Sequence, residues 1–151
     1  MAARPIRIRR GRRTDFGAVM ELLAGSGAAM PPPDRATLRR FRQLVADLGA
    51  DLYVATIDER VVGVVHVTYA RQLAAAPRAT LATLAVDESA RRRGVGRALL
   101  QFVAERARRR ACVRLLCPLT DEAVAPLAGF VERTGARPAG TLLEVPLTAE
   151  D

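Results

Sequence analysis

Two spacings of apolar residues alternate along this chain. Ile6-Arg7-Ile8-Arg9 switches sides residue by residue and predicts a short first strand. Phe16, Val19, Met20 and Leu23 then recur at helical spacing, predicting a helix from a cap at Thr14 or Asp15 to about Ala24. Residues Gly25 to Pro33 read as a loop, because the run Pro31-Pro32-Pro33 cannot lie inside a helix. Asp34 is placed to cap a second helix with Leu38, Phe41, Leu44, Val45 and Leu48 on one face, stopped by Gly49. Asp51 to Ile57 and Val61 to Tyr69 read as an antiparallel pair joined by a tight turn at Asp58-Glu59. After a loop over Gln72 to Pro77, Arg78 to Val86 is the next strand. Leu99, Phe102, Val103 and Ala107 define the buried face of a helix over Arg97 to Arg110. Cys112 to Cys117 reads as a short strand ended by Pro118. A last helix is expected from about Ala125 to Thr134, with Pro126 in its first turn and Gly135 as its stop. Thr141 to Leu147 is expected to be a closing strand. The order is β-α-α-β-β-β-α-β-α-β, with no internal repeat or linker, so residues 1–151 read as a single domain.

Composition narrows the function classes. Half the residues are apolar, enough for a core. No run of about 18 apolar residues occurs, so no membrane span is expected, and the N-terminus lacks the apolar stretch of a signal peptide. The net charge of +8 is carried by arginine alone, since the chain contains no lysine. The absence of lysine and asparagine beside abundant Ala, Arg, Gly and Pro reads as GC-rich codon usage. A basic chain invites a nucleic-acid reading, but aromatics are sparse and neither a stacking platform nor a helix-turn-helix pattern occurs. Cys112 and Cys117 stand at opposite parity of one expected strand, which disfavours a mutual disulfide. Together with the lone His66 they are too few for a zinc site, and no metal is expected. The cytoplasm is the default compartment.

One stretch carries chemistry. Arg91-Arg92-Arg93-Gly94-Val95-Gly96-Arg97-Ala98 joins an expected strand to an expected helix. Free N–H groups at a helix N-terminus attract anions, and glycine lets the backbone approach them. The dinucleotide pattern Gly-x-Gly-x-x-Gly fails at Leu99, and the P-loop pattern lacks its lysine. What remains, Arg91-x-x-Gly94-x-Gly96, resembles the acyl-CoA loop of the GNAT N-acetyltransferase superfamily. The preceding Leu84-Ala85-Val86-Asp87-Glu88 is similar to that family's strand-end segment, and the order of elements from Ile6 to Leu147 is that of its fold. The resemblance implies an α/β chain with a mixed sheet and the GNAT-like acyl-CoA N-acyltransferase fold. It further implies acetyl-CoA as cosubstrate and an amine acceptor, a small molecule or a peptide. Leu84, Ala85 and Val86 would contribute backbone groups to the pantetheine arm, one N–H near Leu84 or Ala85 serving as oxyanion donor. Amides of Arg93, Gly94, Val95, Gly96, Arg97 and Ala98 would hold the pyrophosphate, with Arg91 and Arg92 as charge partners. Dimerisation is common in the family, but no interface is specified here.

The catalytic groups depart from the family pattern. Many members carry a tyrosine in the last helix that protonates the leaving thiolate; alignment on Gly135 puts Val131 there, after Phe130, with Val124 and Ala136 at two further motif positions. Valine has no proton to donate. The two tyrosines, Tyr53 and Tyr69, stand on early strands. Where some members place a carboxylate base, this chain has Ala82 and Thr83, and Glu88 reads as a solvated turn residue. Either water or another group supplies the proton, or acid catalysis is dispensable; His66 is a candidate for a catalytic role and Cys117 for an acid or a site-lining residue, each also explicable as a packed residue. Asp121 and Glu122 either hold an amine or cap the last helix. Arg106, Arg108, Arg109 and Arg110 read as a solvated helix terminus. The loop before Asp34, with Met30 and its prolines, suggests an apolar or small acceptor pocket, or equally a mobile surface loop. A different class, a non-catalytic acyl-CoA-binding module, is the alternative.

Overall fold

The apolar stripes close on the two faces of one sheet. The computed structural model describes residues 2–26, 32–119 and 127–148. Its strands are β1 (Arg7–Arg10), β2 (Ala50–Ile57), β3 (Arg60–Ala70), β4 (Arg78–Val86) and β5 (Leu115–Leu116). They lie in the order β1-β2-β3-β4-β5. The first three pairings are antiparallel and β4–β5 is parallel. The helices are α1 (Phe16–Gly25), α2 (Arg35–Ala46), α3 (Val95–Arg109) and α4 (Ala128–Arg133). No described helix is long and apolar enough to cross a membrane.

Alternation along β2, β3 and β4 feeds two cores. Tyr53, Ala55, Val65, Val67, Leu81 and Leu84 pack with Val95, Leu99 and Val103 of α3. Leu52, Val54, Val64 and Ala85 pack with Val19 and Leu22 of α1 and Phe41 of α2. Both faces of the central strands are covered, so eight consecutive residues of β2 are buried. Gly63 sets the height of α3 above the sheet: a Cβ there would lie 2.9 Å from both Leu99 Cδ1 and Val95 Cγ1.

Three local expectations change. Neither Thr14 nor Asp15 caps α1. A 3-10 turn, Arg13–Asp15, precedes the helix, and Asp15 accepts from the Arg12 N–H (2.7 Å) and pairs with Arg9 at 2.8 Å. The strand expected over Cys112 to Cys117 shrinks to Leu115–Leu116. After α3 the chain reverses through Ala111 at φ +62°, and only two residues come alongside β4. The closing strand over Thr141 to Leu147 does not form among the described residues, and every residue from Glu132 to Thr148 is exposed. A strand needs an edge to pair with, and this segment engages none in its own chain. By contrast, Asp34 caps α2 as expected, accepting from the Thr37 N–H at 2.9 Å. Asp58 and Glu59 form the tight turn with φ of +50° and +65°. The expected acceptor-side residues Met30 and Pro31, together with Asp121, Glu122, Val124 and the start of the last helix at Ala125 and Pro126, lie outside the described residues.

Candidate active site

The Arg91–Ala98 turn is held at both ends and bare in the middle. At its entry the Asp87 N–H donates to Val62 O (2.8 Å), tying the end of β4 to β3. The Asp87 carboxylate accepts from the Ser89 hydroxyl (3.0 Å) and pairs with Arg60. The Ser89 hydroxyl holds the Asp87 carboxyl below the usual range, with burial opposing. Ala90 and Val95, each 1% exposed, anchor the two ends in the α3 core, whereas Arg91 to Gly94 are exposed.

Between those anchors the backbone alternates in hand. Arg92 has φ +64° and Gly94 φ +81°, with Arg93 on the negative side between them. Such alternation turns successive N–H groups toward one concave side, an arrangement that receives anions. The first bond of α3 runs from the Ala98 N–H to Gly94 O (2.9 Å), so the N–H groups of Val95, Gly96 and Arg97 precede the helical ladder. Among the expected amide contacts, the Ala98 N–H is already engaged by that first bond; the Arg91 N–H donates to Glu88 O (3.2 Å), which leaves its guanidinium for the expected part of charge partner. The glycines also divide their work. Gly94 supplies the left-handed residue, with open space around it. Gly96 faces α4: a Cβ there would lie 3.4 Å from Phe130 Cζ and 3.7 Å from Val86 Cγ2.

Beside the turn the sheet opens. The β4–β5 ladder has two pairs, Ala79–Leu115 and Thr80–Leu116. Beyond Thr80, among the described residues, β4 has no strand neighbour on that side while it remains paired to β3 through Val86. The side chains of Leu84 and Ala85 are buried in opposite cores, so these residues offer a ligand only their backbone. Opposite β3, Ala82 is the extra residue of a bulge, since His66 pairs with Thr83 and Val67 with Leu81.

The two catalytic candidates do not converge. His66 stands between Leu52 and Thr83 in the ladder, on the α1/α2 face. It is buried, and its Nε2 has no hydrogen-bond partner. Burial lowers its pKa, with Asp47 acting weakly against it, so the imidazole is held neutral. Cys117, just past β5, is half-buried against the α3 core, where burial pushes its thiol up and keeps it protonated. It and Cys112 are both free thiols. Val131 is buried. Neither tyrosine replaces it: Tyr53 packs on Phe102 at 4.7 Å between ring centroids, and the Tyr69 hydroxyl donates to Asp51 at 2.6 Å.

Asp51 is the residue that sequence reasoning missed. Its side chain is fully buried and receives Arg106 Nε at 2.9 Å, Arg10 at 3.2 Å and Arg110 at 3.6 Å besides Tyr69. Burial pushes its carboxyl up, but the bonds from Arg106 and Tyr69 outweigh that and leave it below the usual range. Arg106 and Arg110 are thus structural ties from the end of α3 to the sheet, not a solvated terminus; Arg108 and Arg109 do pair on the surface, with Glu105. The network fixes one end of α3 as Gly63 fixes the other, and so orients the anion-receiving turn.

The comparisons agree with this geometry. The sequence model described as the Acetyltransferase (GNAT) family matches residues 18–136. A search of curated proteins by sequence found no match. Among solved structures, a transcriptional regulator from Bacillus halodurans C-125 superposes with a TM-score of 0.81 at 24% identity, covering 95% of this chain and 100% of that one. An acetyltransferase from Trypanosoma brucei gives 0.74 at 22%, with 95% and 100% covered. The glucosamine-6-phosphate N-acetyltransferase of Arabidopsis thaliana gives 0.77 at 14%, with 95% and 99% covered. At these identities the structural likeness speaks for the fold.

Proposed function

Because the chain belongs to the acetyltransferase (GNAT) family, we propose that it transfers an acetyl group from acetyl-CoA to an amine of a small molecule or peptide. The observation that carries this reading is the pairing of an anion-receiving turn with an open strand edge. The pyrophosphate lies against the N–H groups of Arg93 to Arg97, with the Arg91 and Arg92 guanidinium groups beside it. The pantetheine arm runs along the free edge of β4, bonded to backbone at Leu84, Ala85 and Val86, much as a strand joins a sheet edge.

The reaction is direct attack. A neutral amine adds to the thioester carbonyl, forming the C–N bond. An N–H near Leu84 or Ala85 receives the oxyanion. Collapse breaks the C–S bond, and the proton lost by the amine balances the one gained by the thiolate or the solvent. A thiol has a pKa near ~8.5, so its thiolate departs without a strong acid. His66, buried on the α1/α2 face, and the protonated Cys117 thiol on the α3 face do not act as a facing pair; each is a separate candidate for moving the proton, and water is the alternative carrier.

Thermal denaturation with and without acetyl-CoA tests the donor side: millimolar acetyl-CoA raises Tm, and an unmoved Tm sinks the assignment. Release of coenzyme A is then followed with a polyamine, an amino sugar and a peptide with a free N-terminus. One observation favours a second reading. Valine at 131, with both tyrosines occupied elsewhere, suits a module that binds acyl-CoA without turning it over. Tight binding with no release on any amine would select it.

A further inference from the structure

Three loops meet at the pole of the sheet opposite the Arg91–Ala98 turn. They span residues 47–49, 71–77 and 110–114, and the register brings them together: Ala50 pairs with Thr68, Ala70 with Arg78 and Ala79 with Leu115. The end of α3 is tied to the same place. Arg110 Nη1 donates to Leu48 O (3.1 Å), and the Arg110 guanidinium lies 4.1 Å from the centre of the Tyr69 ring. Among the described residues from β1 to β5, the large apolar side chains left exposed are Leu48 (84%), Val113 (80%) and the wholly exposed Leu73, one on each loop. Single exposed apolar residues are ordinary, but their gathering at one end of the molecule marks an interaction surface.

Leu73 opens an uncharged run, Leu73-Ala74-Ala75-Ala76-Pro77. Gln72 braces this loop, donating from Nε2 to Ala76 O (3.0 Å) and accepting from Arg78 Nη2 (3.4 Å), while Leu73 joins neither core. Arginines ring the apolar tips. Arg71, Arg78 and Arg114 are exposed, and none makes an ion pair among the described residues. The Ala79 N–H donates to Arg114 O (3.3 Å), which sets Arg114 beside the start of β4 and so beside Arg78. Asp47 is the single acid within the three loops.

We propose that this pole docks on an anionic lipid surface. Leu48, Leu73 and Val113 enter the boundary between headgroups and acyl chains, and Arg71, Arg78 and Arg114 meet the lipid phosphates above them. The charge is complementary, and arginine suits the boundary because its stem lies along apolar surface while its head stays with the phosphates. Apolar tips on three separate loops also suit a fluid surface, which moulds to each of them. The contact is peripheral, since no described helix is long and apolar enough to cross the bilayer. The fifteen residues of α3 lead from the Arg91–Ala98 turn to this pole, so the turn stands roughly 22 Å away, on the aqueous side. The contact does not depend on the function proposed above.

Flotation of the whole chain with vesicles tests the proposal, at near-physiological salt. The chain is expected to float with vesicles of phosphatidylcholine containing phosphatidylglycerol, and to stay behind with phosphatidylcholine alone. Arg114→Gln should lower the affinity about fivefold. Arg7→Gln removes the same charge from the opposite pole, where Arg7 pairs with Thr56, and should leave the affinity unchanged. Leu73→Ser keeps the charge and should lower the affinity roughly tenfold. All three residues are exposed, so each variant should keep the far-ultraviolet circular dichroism of the parent. Orientation is read separately, in a Cys117→Ser background that leaves only the buried Cys112. An environment-sensitive fluorophore on Leu73→Cys should shift to the blue on anionic vesicles, and one on Glu88→Cys, at the turn, should not. Failure to float with the anionic vesicles overturns the proposal. So does flotation that is equal with both kinds of vesicle or indifferent to Leu73→Ser and Arg114→Gln, and so does a blue shift at Glu88→Cys in place of Leu73→Cys.

Discussion

Gly63→Ala places a methyl group where the sheet and α3 touch. Its Cβ would lie 2.9 Å from Leu99 Cδ1, 2.9 Å from Val95 Cγ1 and 3.5 Å from Ala55 Cβ. Carbon atoms in contact rest at about 3.5–4.0 Å, so the first two neighbours must each retreat by about 0.7 Å. Leu99 is 0% exposed and Val95 1%, so both are enclosed in a core packed at interior density, and α3 itself is expected to rise. Overpacking of this kind costs about 1–3 kcal/mol. For a domain of this size each kcal/mol moves Tm by roughly 2–4 °C, so a drop of about 2–12 °C is expected. Val95 is the first residue of α3 and anchors the exposed turn, so acetyl-CoA affinity should fall about tenfold alongside. Gly17→Ala is the control. It adds the same atom inside α1 with nothing within 4 Å, and should raise stability by up to about 1 kcal/mol. Thermal denaturation and calorimetry of both variants decide the matter. A Gly63→Ala protein as stable as the parent and binding acetyl-CoA equally well would refute the claim that Gly63 sets the height of α3.

Four further outcomes follow. Gly96→Ala should be tolerated, its Cβ meeting Phe130 at 3.4 Å, whereas Gly96→Val drives its γ-methyl groups toward Phe130 and should abolish acetyl-CoA binding in calorimetry. Asp51→Asn removes the buried counter-charge of the part-exposed Arg106, Arg110 and Arg10 and should cost about 1.5–3 kcal/mol in chemical denaturation. Asp51 has a lowered folded pKa, so its contribution is full above the unfolded value near ~3.9 and is lost as pH falls through the folded one. The acid limb of the parent's stability curve should therefore flatten in the variant. His66 is the only histidine, so one imidazole resonance reports it. Its titration should fall below the ordinary ~6.5, and the stability its burial supplies should decline as pH drops from about 6.5 toward the folded pKa. If acid–base work falls to these side chains, His66→Ala or Cys117→Ala loses turnover with acetyl-CoA binding kept; unchanged turnover in both removes them.

What was legible in the sequence is what repeats locally. The strands β2 to β4 announced themselves by dense apolar runs, and the turn before α3 by two glycines among arginines. Gly63 went unread in the sequence, although a lone glycine within a strand can signal close approach of another element. Asp51 was not legible, because its partners Arg106 and Arg110 stand more than fifty residues away and nothing in its neighbourhood sets it apart from a surface aspartate. The segment Thr141 to Leu147 shows a different limit. Its apolar pattern was visible, but a pattern states what a segment can pair with and not whether it finds an edge. The candidate chemistry divides along the same line. The turn is a local device, carried by the hand of Arg92 and Gly94. The neutrality of His66 is a product of lateral register, between Leu52 on one side and Thr83 on the other, fourteen residues one way and seventeen the other. A motif can specify the first kind of feature. The second arises only when three strands close over one imidazole, so a chain that lacks the family's tyrosine has to be searched for a proton carrier in its folded core.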